Sequence, residues 1–147
     1  MSGLVGGKSP IGNIGDGGSS AEIIDIIAWA YEDAPNAGSV EYIIPFGGAF
    51  SAATLRNYVA GRSGTIKKIT VATNTDAHTA DVTVTLRKES TNTAMTLTIP
   101  ASSPNTEFSD ERDIAFLADD RLDIKFDSIG STGTLRIASV SLEVVWD

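Results

Sequence analysis

The chain has 147 residues, the length of one ordinary domain, with 41% apolar and 20% charged residues, a globular balance. Its formal net charge of −8 disfavours a nucleic-acid binder, whose affinity rests on Lys and Arg at phosphates. Cys is absent and His occurs once, so disulfides, thiolate zinc sites, Cys nucleophiles and His-rich metal sites are excluded within this chain.

Residues 1–20 hold seven of the 14 glycines. Glycine loses the most backbone entropy on ordering, so this segment cannot fold on itself. It reads as a flexible terminus or as an extended arm that orders on a neighbouring subunit. In the second case Leu4, Val5, Ile11 and Ile14 are its apolar pegs. The remaining residues, 21–147, form the domain proper.

Residues 21–34 carry two signals. Ser19 and Glu22 have capping-box spacing, and Ile23, Ile24, Ile27 and Tyr31 fit a helical stripe. Ile, Trp and Tyr nevertheless favour strands, and the strand reading is preferred. On a strand, Trp29 and Tyr31 share a face, which suits a subunit interface or a glycan platform; core packing is the competing use. Pro35 to Gly38 makes a turn, Val40 to Phe46 a strand, and Ala52 to Ala60 a short helix.

From residue 65 a period of two dominates. Ile69 and Val71, then Val82, Val84 and Leu86, then Met95, Leu97 and Ile99, then Leu122, Ile124 and Phe126 alternate with Thr or charged residues. In the last segment Leu135 and Ile137 share one parity while Val140, Leu142, Val144 and Trp146 share the other. A β-bulge or a bend between sheets is therefore expected at Ala138-Ser139. Polar, turn-rich connectors separate these runs. The expected fold is all-β: an antiparallel β-sandwich of seven to nine strands, a jelly roll, with the Gly-rich arm extended from it.

Chemical signals are sparse. His78 lies in the polar run NTDAHTAD near Asp76 and Asp81 and reads as an exposed loop residue rather than a general base. No G-x-S-x-G elbow is present. Asp110, Glu111 and Asp113, followed by Asp119, Asp120, Asp123 and Asp127, read as solvated carboxylates guarding a strand edge, ahead of a calcium or catalytic use. Gly7-Lys8-Ser9 lacks the earlier glycine of a phosphate loop, and Pro10 forbids the helix that would follow. No cofactor, metal or catalytic residue is assigned. No apolar run approaches the ~20 residues of a membrane helix, and Met1 to Gly18 lacks the apolar core of a secretory signal.

The arm, the Thr-dense strands ADVTVTLRKES and TAMTLTIPA, and the closing LADDRLDIKFDSIGSTGTLRIASVSLEVVWD resemble the small jelly-roll virion proteins of tailed bacteriophages, of capsid decoration (cement) or fibre-head type. The resemblance covers residues 41–147 in texture and order, not in a diagnostic motif. It implies a non-enzymatic virion protein, made in the host cytoplasm, that decorates and stabilises a capsid. It also implies a homo-oligomer, with a trimer favoured, and a major capsid protein or other virion protein as partner. A receptor- or carbohydrate-binding fibre or tail domain is the alternative. An enzyme using Asp119, Asp120 or His78 ranks third.

Overall fold

Val, Ile and Thr fit a pleated surface with one wet face, and the alternating runs form strands accordingly. The computed structural model describes residues 24–33, 35, 37–43 and 57–147. Among these are nine strands and no helix: β1 (Ile24–Asp33), β2 (Val40–Ile43), β3 (Tyr58–Val59), β4 (Gly64–Asp76), β5 (Val82–Lys88), β6 (Thr91–Ile99), β7 (Glu107–Phe116), β8 (Arg121–Asp127) and β9 (Leu135–Trp146).

The pairing is nested and antiparallel. β1 pairs with β9, β2 with β8, β4 with β7, and β5 with β6. Two further pairings, β4 with β9 and β5 with β8, roll these pairs into two sheets ordered β1-β9-β4-β7 and β2-β8-β5-β6. This is jelly-roll order. The two-residue β3 continues the line of β2 along the same strand, since β2 pairs with Ile124 to Asp127 and β3 with Arg121 and Leu122.

The core lies between the sheets. Ile66, Ile69, Val71, Val140, Leu142 and Val144 meet Val84, Leu86, Ile99, Leu122, Ile124 and Phe126 there. Each such side chain contributes roughly 1.5–3 kcal/mol by leaving water. The expected bulge is present: Ala72 and Thr73 are consecutive, yet their β9 partners are Ser139 and Ile137, so Ala138 is extra. It restores the inward parity of Val140, Leu142 and Val144. β9 stays paired with β4 on both sides of it, which selects the bulge over a bend between sheets.

A second irregularity was silent in the sequence. Between the rungs at Ile66 and Ile69, β4 takes three steps, β9 two (Val144 to Leu142) and β7 four (Ile114 to Asp110). Successive bulges of this kind raise local twist and keep both isoleucines in the core.

Loops at one end are laced together. Ala77 and Thr79 donate backbone N–H groups to the Thr134 and Thr132 carbonyls, and Ser128 and Ser39 exchange bonds through backbone and hydroxyl. Two expectations need correction. Tyr58 and Val59, placed in a helix over 52–60, are a strand because β8 offers them an open ladder; residues 52–56 lie outside the described residues. The segment 107–116, read only as part of an acidic cluster, is strand β7.

Candidate interaction surface

The two sheet edges formed by β7 and β1 differ. β7 has sequence EFSDERDIAF, with charge through its middle. Its Asp110 Oδ2 accepts the Thr96 N–H of β6 at 3.0 Å and the Arg112 Nε–H at 2.9 Å. Lys67 pairs with Asp113 and Lys68 with Glu111, each at 3.0 Å. The hydrogen bond from Lys68 to Glu111 holds its ammonium above the usual lysine range. Carboxylates and side-chain caps of this kind block strand addition. Asp110, Glu111 and Asp113 thus line a strand edge, as their composition suggested.

β1, with sequence IDIIAWAYED, has no charge from Ile26 to Tyr31. It pairs with β9 along one side, from Ile24 opposite Val145 to Ala30 opposite Ser139, and no described strand pairs with its other side. Ile27 turns inward at 6% exposure, while Ile26 is 64% exposed. A ten-residue strand with an exposed isoleucine and one side unpaired among the described residues is a surface suited to strand addition. Trp29 lies on this strand opposite Val140 in the ladder. The side chains of Trp29 and Tyr31, and the pegs Leu4, Val5, Ile11 and Ile14, lie outside the described residues.

Near the start of β1 opens a cleft of about 440 Å³ lined by Asp25, Tyr58, Gly61, Arg62 and Trp146. The Arg62 guanidinium carbon lies 4.9 Å from the Trp146 ring centre. Trp146 in turn meets the buried Phe116 edge-on, with centroids 5.7 Å apart. Sequence reasoning missed this cleft, because Asp25, the Tyr58–Arg62 segment and Trp146 are far apart in the chain. The available signal was an arginine among glycines, Gly61-Arg62-Ser63-Gly64.

Two residues singled out earlier are not where they were expected. His78 is buried at 2% exposure, with Nε2 3.4 Å from the Ile99 carbonyl. The lacing of its loop onto 128–134 draws it in. Asp123 is not solvated. It has outward parity but only 2% exposure, and it accepts Arg87 Nε at 2.6 Å and Nη2 at 2.7 Å. Arg87, itself 6% exposed, stacks 4.2 Å from the Tyr42 ring centre. The hydrogen bond to Asp123 holds the guanidinium above its ordinary range. With both charges matched in a planar fork, this is a structural pair. Among the described residues, no group of three or more His, Asp or Glu side chains could hold a metal ion.

No protein-family model and no curated protein matches this chain. Among solved structures it is similar to a cycloalternan-forming enzyme from Listeria monocytogenes in complex with a pentasaccharide substrate. The identity is 12% and the TM-score 0.38, over 76% of this chain and 12% of that one. It is also similar to the VP2 subviral particle protein of infectious bursal disease virus, at 13% identity and TM-score 0.37, over 87% of this chain and 34% of that one. The chain thus spans a small part of either protein's length, and these likenesses concern the β-rich fold alone.

Proposed function

We propose that this chain is a non-enzymatic virion structural protein that binds a capsid surface as a decoration (cement) protein. The observation that carries the reading is the contrast between the charged, capped β7 edge and the uncharged middle of β1, whose outer side pairs with no described strand. That contrast suits a module which associates along one edge only. In a symmetric homo-oligomer, a trimer in the favoured case, Ile26 of each copy packs against a different face of its neighbour, since pairing of β1 with β1 would close as a two-fold dimer. The arm 1–20 then reaches a capsid subunit through Leu4, Val5, Ile11 and Ile14, spanning at most roughly 70 Å when extended. A ligand that binds only the assembled shell shifts the equilibrium towards it.

Co-sedimentation with capsids tests the reading. The full chain pellets with particles, and a chain with all four pegs changed to Ser stays in the supernatant while melting like the parent. Equal pelleting of the two chains counts against it. A second reading, a receptor- or carbohydrate-binding fibre or tail domain, is favoured by the aromatic and charged lining of the cleft.

A further inference from the structure

We infer that the cleft beside the start of β1 is a binding site for a carboxylated sugar. The inference rests on the second reading above and not on capsid binding.

Arg62 carries the argument. Its guanidinium lies over Trp146, which the buried Phe116 anchors from the core. Attraction to the ring face restrains the guanidinium, so less side-chain entropy is lost when a ligand arrives. Among the described residues Arg62 forms no hydrogen bond and no ion pair. A planar fork of donors with no acceptor among the described residues matches a carboxylate in bidentate geometry.

Asp25 decides what else the ligand carries. It lines the same cleft, and no ion pair joins it to Arg62 among the described residues. Its Oδ1 accepts the Ile26 N–H at 2.8 Å, which leaves Oδ2 and further lone pairs for outside donors. A phosphate, with up to two negative charges, meets repulsion from that carboxylate. A carboxylated pyranose places one negative charge at Arg62 and offers hydroxyl donors to Asp25. The Tyr58 ring supplies an apolar wall for the C–H face of the sugar. The volume of about 440 Å³ lies in the range of small-molecule sites and exceeds the needs of a bare ion. The net charge of −8 opposes long-range attraction of any anion, so contact within the cleft must supply the affinity, with a Kd on the order of 1 mM for a single sugar unit.

The test is a nuclear magnetic resonance titration of the full chain, following the assigned indole N–H of Trp146. The probes are N-acetylneuraminic acid, glucuronic acid, glucose and sodium acetate at equal ionic strength. At least one acidic sugar is expected to shift the signal saturably, with glucose and acetate at least about tenfold weaker. Arg62→Gln is expected to weaken that response at least about tenfold with an unchanged melting midpoint, since Arg62 is exposed. Asp25→Ala weakens it several-fold. Equal response to glucose overturns the carboxylate assignment while sparing carbohydrate binding. Equal response to acetate reduces the cleft to a simple anion site. Silence with every sugar, or full retention in Arg62→Gln, removes the site and with it the cleft's support for the second reading.

Discussion

Asp123→Ala should be among the most damaging single changes in the chain. The parent holds two short bonds, 2.6 and 2.7 Å, between groups that are 2% and 6% exposed. Removing the carboxylate leaves the Arg87 guanidinium buried against Tyr42 without its counter-charge, and water has little access to replace it. Breaking a buried pair in this way costs about 3–5 kcal/mol. For a domain near this length each kcal/mol moves the melting midpoint by about 2–4 °C, so a fall of roughly 6–20 °C is expected. The double change Arg87→Met with Asp123→Leu removes both charges and should recover most of the loss, to within about 1 kcal/mol of the parent. Asp113→Ala, which breaks an exposed pair with Lys67, should cost under about 1 kcal/mol. Thermal and urea melts of the four proteins decide the matter. A loss below ~1 kcal/mol in Asp123→Ala, or no recovery in the double variant, refutes the reasoning.

Three further outcomes follow from backbone geometry. Gly133→Ala should prevent folding or cost several kcal/mol, because φ is +89° and a Cβ there meets the Ala77 carbonyl; Gly130→Ala, at φ +85° with open space around it, should cost only about 1–2 kcal/mol. Comparable melts for the two variants would contradict the close approach of these loops. Ser90→Gly should stabilise by about 0.5–1 kcal/mol, since Glu89 and Ser90 both hold positive φ in the two-residue β5–β6 turn; a lower melting midpoint would count against it. Deleting Ala138 should abolish cooperative melting, because Val140, Leu142 and Val144 can no longer face inward together with Leu135 and Ile137. A parent-like transition would show that the bulge does not set the register.

The strands with one wet face were legible because their inner residues are apolar and their outer ones Thr or charged. β5, β6 and β8 contain the alternating runs Val82 to Leu86, Met95 to Ile99 and Leu122 to Phe126, and the parity switch at Ala138 located the bulge. β7 was illegible for a physical reason. An edge strand that must refuse partners carries charge on both faces, so Asp110 and Glu111 erase the alternation that marks a strand. Burial of His78 and Asp123 was equally hidden. It depends on loop lacing and on a partner 36 residues away in the chain, which period-two reasoning cannot see. The cleft shares that limit. Its residues converge only when β1, β3 and β9 have been placed by the rolled pairing.

The central claim is association through β1, and solution mass by light scattering tests it most directly. The full chain should scatter as an oligomer, a trimer in the favoured case. Ile26→Lys, at a position 64% exposed, should scatter as a monomer with an unchanged melting midpoint. A parent that is monomeric across the concentration range, or an oligomer that Ile26→Lys leaves intact, would contradict the account.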